Sequence, residues 1–198
     1  MGTQSRLFVI SGPSGAGKGT LVSLLREMRP DLGLTVSATT RSPRQGEIPD
    51  VSYHFLSEEE FQRRVKAGDF LEWAHVHGHC YGTLKEDVKA QLSAGKSVIL
   101  EIDVQGALNV KRLVPDAVLI FVEPPSMEEL ERRLRDRGTE SEDQVELRLA
   151  NAKCEMDLAP RYDVRLVNDK ADAAVAQLAT IMKEYETNGG SSYGSNRA

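Results

Sequence analysis

Gly12-Pro13-Ser14-Gly15-Ala16-Gly17-Lys18-Gly19-Thr20 is the stretch whose reading decides the fold. The residues before it, 7–10, are continuously apolar, and residues 18–28 after it bring Leu21, Leu24 and Leu25 onto one helical face. A buried strand, a glycine-rich turn and an amphipathic helix in that order read as a phosphate loop. Glycines let successive backbone N–H groups turn inward around phosphate oxygens, the helix N-terminus adds partial positive charge, and Lys18 supplies a full one. The strict pattern has Ser or Thr directly after the lysine. Gly19 stands there instead, so that position offers no hydroxyl to Mg2+. A glycine-rich turn that only permits close packing is the alternative, and the strand and helix on either side weigh against it.

Working outward, residues 97–102 and 118–122 are apolar runs without polar alternation, as expected of parallel strands buried on both faces. Each is followed by a helical stretch. Residues 163–167 read as another strand and 172–186 as a closing amphipathic helix. The expected fold class is α/β, a phosphate-loop type of parallel sheet flanked by helices and joined by right-handed crossovers. Between residues 37 and 83 the pattern changes to short alternating segments broken by Gly and Pro, which predicts an inserted, strand-rich lobe. Ser57 with Glu60 three residues later has the spacing of a capping box opening a helix. Residues 126–156 are helical and rich in Arg, with an interruption at Gly138-Thr139. The expected division is a core of residues 1–36 and 84–187, a lobe of 37–83, a lid of about 137–158 within the core, and a Gly, Ser and Asn-rich tail of 188–198 that is expected to be disordered.

The 198 residues, 40% of them hydrophobic, suit one well-buried core. A net charge of −5 argues against wrapping polymeric nucleic acid, which calls for a cationic face. Two cysteines, Cys80 and Cys154, without CxxC spacing suggest neither a disulfide framework nor a zinc knuckle, and a cytoplasmic setting is expected. The apolar runs fall short of the roughly 20 residues of a spanning helix, so no membrane role is expected. His75, His77 and His79, at period two beside Cys80, invite a metal reading, but Gly78 marks a turn and strand residues are the expectation.

Further segments carry a resemblance: Thr39-Thr40-Arg41-Ser42-Pro43-Arg44-Gln45-Gly46-Glu47, Tyr53-His54-Phe55, Tyr81-Gly82-Thr83, Glu101-Ile102-Asp103-Val104-Gln105-Gly106, Arg137-Gly138-Thr139, Arg148, and Val167-Asn168-Asp169. With residues 12–18 this ordered set resembles guanylate kinases, over nearly the whole chain except the tail. The resemblance implies a phosphate-loop core, a GMP-binding lobe at 37–83 and a mobile lid. It also implies transfer of the γ-phosphoryl group of ATP, with Mg2+, onto GMP and dGMP. Two positions depart from the pattern: Asp50 where a glycine is usual, and Glu101 where some members have Asp.

By resemblance the ATP side is Gly12, Pro13, Ser14, Gly15, Ala16, Gly17, Lys18, Gly19, Thr20 and Asn168. Arg41, Arg44, Tyr53 and Tyr81 hold the acceptor phosphate, and a guanidinium suits that task because its fork grips two oxygens. Glu72, Thr83 and Ser37 match guanine-reading positions. Guanine offers two donors, N1–H and the 2-amino group, that a carboxylate accepts together, while a hydroxyl serves O6. Asp103, at a strand end, orients Mg2+ waters or the acceptor, or else caps the next helix; both uses stand open. Arg133, Arg137 and Arg148 match lid and active-site arginines, which with Lys18 and Arg41 form the catalytic set, whereas Arg132 and Arg135 read as solvated helix-face residues. The partners expected are GMP and ATP alone, with the chain a monomer or homo-oligomer. Two competing readings are a phosphopeptide-binding scaffold domain, which tends to lose the ATP loop, and a kinase for another small phosphorylated acceptor, against which Glu72 and Thr83 argue.

Overall fold

The computed structural model describes residues 4–33, 35–76, 78–136 and 141–188. Strand β1 (Leu7–Ser11) leads through the glycine-rich loop into helix α1 (Lys18–Met28). After β2 (Ala38–Thr39) and β3 (His54–Phe55) come α2 (Glu58–Ala67), β4 (Phe70–Val76), β5 (His79–Leu84) and α3 (Lys85–Ser93). The chain continues through β6 (Val98–Glu101), α4 (Val104–Leu113), β7 (Val118–Glu123), α5 (Met127–Asp136), α6 (Glu142–Met156), β8 (Val164–Val167) and α7 (Ala171–Asn188).

Four strands form a parallel sheet in the order β6-β1-β7-β8, with Phe8 beside Ile99 on one side and Val118 on the other. Its central strands are buried on both faces, which is why their sequences are apolar without alternation. Period-two geometry still sorts the side chains. Phe8, Ile10, Ile120 and Val122 pack with Leu21, Leu25, Leu178 and Met182 from α1 and α7. Leu7, Val9, Leu119 and Phe121 pack with Val88, Val104 and Val110 from α3 and α4. Helices therefore cover both faces, and the carboxyl ends of β1 and β6 open toward the glycine-rich loop.

A second sheet, β3-β2-β5-β4, is mixed: β2 pairs parallel with β3, and the other two pairings are antiparallel. Its small core is Ala38, Phe61, Phe70, Cys80 and Leu84, with the rings of Phe61 and Phe70 stacked at 4.4 Å. Leu71 of β4 packs instead into the core of the parallel sheet, which fastens the two sheets together.

Several local expectations are revised. Ser57 caps α2 by accepting from the Glu60 N–H at 3.1 Å, while the Glu60 carboxylate, in place of the reciprocal half of the capping box, pairs with Arg63 and Arg64. Charge-assisted bonds to two guanidinium groups outcompete one neutral N–H. The reciprocal bond appears where it was not foreseen, at α6, where Ser141 N–H donates to the Gln144 side chain at 3.0 Å. The turn expected at Gly78 is present: His75 and His79 lie on the two strands of the β4–β5 hairpin, opposite Cys80 and Val76 respectively; His77 lies outside the described residues. Helix α7 runs to Asn188, where the tail was expected to begin, and residues 189–198 lie outside the described residues.

Candidate active site

The glycine-rich loop is shaped by close approach. Gly12, at φ 140°, lies where an added Cβ would meet the Val122 carbonyl oxygen at 2.1 Å, so only glycine fits against β7. Gly17, at φ 88°, is the N-cap of α1, and a Cβ there would sit 2.4 Å from the Asn168 amide. Left-handed backbone at this point turns the N–H groups toward the loop's concave side. Lys18 Nζ donates to Gly12 O at 2.6 Å and to Pro13 O at 2.9 Å, which arches the loop over the ammonium group. Ser14, Gly19 and Thr20 are exposed, and Ala16 is buried.

Asn168, placed on the ATP side in the sequence reading, is buried behind the loop, where its side-chain N–H donates to Ala16 O at 2.8 Å. Asn168→Ala removes the partner of a buried carbonyl. It is expected to cost about 1–3 kcal/mol of stability, read by urea denaturation, because an unpaired buried acceptor loses its full solvation.

Six residues proposed for the acceptor, Ser37, Tyr53, Glu72, Tyr81, Thr83 and Asp103, line one cleft of about 480 Å3 between the two sheets. Two roomier hollows of about 620 Å3 include none of these residues. Glu72 lies beside Thr83 in the β4–β5 pairing, and the Thr83 hydroxyl donates to Glu72 Oε1 at 2.7 Å. That proton is committed to the carboxylate, so Thr83 must turn its hydroxyl before it can donate to a ligand. Burial pushes the Glu72 carboxyl above the ordinary range; the Thr83 bond opposes this and the charge of Asp103 adds to it.

Arg41 and Arg44 are not among the cleft walls. The Arg41 guanidinium lies over the Tyr53 ring at 5.4 Å, and Tyr53 stands 6.2 Å from the Tyr81 ring. Glu47 had no role beyond its place in the motif, yet it braces both arginines: one oxygen accepts from Arg41 at 2.8 Å and the other from the Arg44 backbone N–H at 2.7 Å. The acidic residue three beyond Arg44 was the available signal.

Asp103 takes up the capping alternative, accepting the Gly106 N–H at 2.7 Å as N-cap of α4. Its second oxygen and the cleft-side position leave the other use compatible. The Glu101 carboxylate lies 3.6 Å from where a Gly19 Cβ would project, so the missing side chain gives this acid room beside the loop. From α6, Arg148 donates to the Ser14 hydroxyl at 2.8 Å, joining the helix to the loop. Arg133 pairs with Glu129 at 2.8 Å and reaches the Asp169 carbonyl at 3.3 Å. Arg132 pairs with Glu129 and Asp136, and Arg135 with Glu131 and Glu142, on exposed helix surface. Arg137 lies outside the described residues. Glu155 of α6, missed in the sequence, is half-buried; burial raises its carboxyl, Lys18 opposes this and Asp103 reinforces it, so the three charges share one neighbourhood. Among the described residues no group of three or more His, Cys, Asp or Glu is placed to hold a metal ion by itself.

A glycine-rich loop between the first strand of a parallel sheet and its helix, with a second sheet bearing stacked arginine and tyrosine beside a cleft at the carboxyl end of β6, is the architecture of an α/β kinase. The guanylate kinase family profile matches residues 4–185. A guanylate kinase of Caldanaerobacter subterraneus subsp. tengcongensis is 50% identical over 179 residues, 90% of this chain and 87% of that one. One from Synechococcus sp. (strain CC9311) is 48% identical over 181 residues, 91% and 95%. The crystal structure of guanylate kinase from Anaplasma phagocytophilum superposes with a TM-score of 0.70 at 31% identity, covering 94% of this chain and 88% of that one. The chain belongs to the guanylate kinase family.

Proposed function

We propose that the chain transfers the γ-phosphoryl group of ATP to GMP or dGMP, releasing ADP and the nucleoside diphosphate. The observation that supports this best is the single cleft whose walls hold Glu72, Thr83, Tyr53, Tyr81 and Asp103, with the half-buried Glu72 carboxylate able to accept two guanine donors. In this reading residues 37–83 are the acceptor lobe, and α6 with the residues before it is the lid. The loop's N–H groups and Lys18 hold the donor phosphates, while Arg41, Arg44, Tyr53 and Tyr81 hold the acceptor phosphate.

The protein's work is alignment and charge. A loose phosphoryl-transfer transition state spreads negative charge over the equatorial oxygens, so cations fixed around it lower the barrier without covalent help. Lys18 from the loop, Arg148 and Arg133 from the helices, Arg137 and Arg41 supply them. Glu101 and Asp103, beside Gly19 and the cleft, fit water-mediated holding of Mg2+, which when bound neutralises charge on the donor phosphates. Closure of lobe and lid excludes water and limits ATP hydrolysis. No described helix is long and apolar enough to cross a membrane, and a cytoplasmic location suits two free cysteines and small-molecule substrates.

An ADP-release assay across GMP, dGMP, AMP, UMP and CMP tests the reading. Turnover with the guanine nucleotides and little with the others is expected; preference for AMP, or silence with all five, rejects it. A second expectation concerns the brace. Glu47→Gln keeps the side chain's size but loses the charge that holds Arg41, so KM for GMP is expected to rise about 10-fold, with KM for ATP unchanged. Equal effects on both substrates would show that Glu47 only supports the fold.

A further inference from the structure

The turn that delivers Tyr53 to the cleft is fastened by the next residue. His54 opens β3, where its N–H donates to Ser37 O at 2.9 Å, and its ring is held between two carboxylates. Nδ1 lies 2.8 Å from Asp50 Oδ1 within the turn, and Nε2 lies 2.9 Å from Asp87 Oδ2 in the first turn of α3, the helix that follows Thr83 and Leu84. The ring thus ties the 48–53 turn to an element outside it. Asp50 has φ 60° and is the one non-glycine among the described residues with positive φ. Left-handed backbone is natural to glycine, and Asp tolerates it because of its short polar side chain. Here that side chain meets the ring.

Both ring nitrogens face ionised acceptors. Neutral imidazole carries one N–H and so can donate to only one of them; imidazolium donates to both. Asp50 from the turn and Asp87 from α3 are the charged groups that face the ring among the described residues. Burial disfavours the charged ring, and the two carboxylates outweigh it, so His54 holds its proton above the usual histidine range. Because the folded value is raised, the bridge is complete below the ordinary histidine pKa of about 6.5 and is lost as pH rises through the folded value.

We propose that His54, as the imidazolium, is a positioning residue for the acceptor phosphate. By pinning the turn to α3 it holds Tyr53, and the Arg41 guanidinium stacked on Tyr53, in the geometry that receives a nucleoside monophosphate. Acceptor binding and His54 protonation are therefore linked. The proposal rests on the phosphotransferase reading above and adds a pH-dependent control of its acceptor side.

Linkage supplies the test, since a proton that tightens GMP binding must itself be bound more tightly in the GMP complex. NMR titration of the His54 ring, without ATP, is compared with and without saturating GMP in the native chain, in Asp50→Gly and in Asp87→Asn. Asp50→Gly keeps a residue suited to the positive φ while deleting the carboxylate. The native ring is expected to gain about half a pH unit on GMP binding, equivalent to about threefold tighter binding to the protonated form. In both variants less than half of that gain is expected. An unmoved ring overturns the proposal, as does an undiminished gain in the variants, which would reflect only the phosphate's field; the His75 and His79 rings calibrate that field. As a kinetic check, the ratio of KM for GMP in His54→Gln to that of the native chain should fall toward one as pH rises from about 6 to 8.5, the ionisation of GMP cancelling in the ratio. A pH-independent ratio overturns the proposal. Failure of GMP to perturb any cleft residue would overturn both this proposal and the parent reading; GMP turnover with an unmoved His54 overturns this one alone.

Discussion

Lys18→Ala is expected to fold normally and to lose about 10²- to 10³-fold in kcat, the usual effect of deleting one fixed group that stabilises transition-state charge. Lys18 opens α1, a position where alanine is the strongest helix former, so the helix has no reason to fray. What disappears is the ammonium group that the Gly12 and Pro13 carbonyls hold under the loop, beside Glu155 and Asp103. Arginine is expected to rescue little, because a planar fork cannot replace a compact charge seated against two carbonyls. Circular dichroism establishes folding and ADP release reads the rate. Near-native turnover would remove the loop from the chemistry.

Glu72→Gln is expected to lower kcat/KM for GMP by about 10²- to 10³-fold and to narrow its lead over AMP. Glutamine turns one acceptor into an N–H2 donor, which confronts a donor on guanine, whereas adenine offers an acceptor at N1. The same change is expected to raise the melting temperature of the unliganded protein. Glu72 is held largely out of water with its carboxyl pushed upward, so its charge costs stability until a ligand compensates it. The sign follows from linkage: with the folded pKa raised, the stability contribution is present below the ordinary glutamate value and is lost as pH rises through the folded value. GMP binding should accordingly weaken on acidification at a higher pH than an ordinary carboxylate would cause. A variant that is both less stable and equally selective would contradict the assignment.

Much of the fold was legible in short windows. Residues 7–28 announced strand, loop and helix because burial on both faces removes polar alternation, and because a helix buries Leu21 and Leu25 at its own period. The strands β6 and β7 were found for the same reason, and β8, whose residues alternate between buried and exposed, as a short strand of another pattern, each within a residue or so of its observed ends. Less was legible at Glu60, where the capping spacing was present but the carboxylate had two arginines as stronger partners. The hairpin at His75 to His79 was legible from Gly78, because a glycine between two short runs marks a reversal that period two by itself cannot locate.

The sequence by itself pointed to the chemistry to expect: a loop suited to phosphate and arginines with fork geometry from residue type and order, and a carboxylate with hydroxyls from the family resemblance. The tertiary structure alone decided which of these groups meet and what each holds. Asn168 supports the Ala16 carbonyl from 152 positions away, His54 reaches Asp87 across 33, and Arg148 reaches Ser14 across 134. Local periodicity is written in neighbouring residues because backbone geometry fixes it there. A bond between distant residues exists only after the sheets have brought their elements together, so no window of sequence contains it.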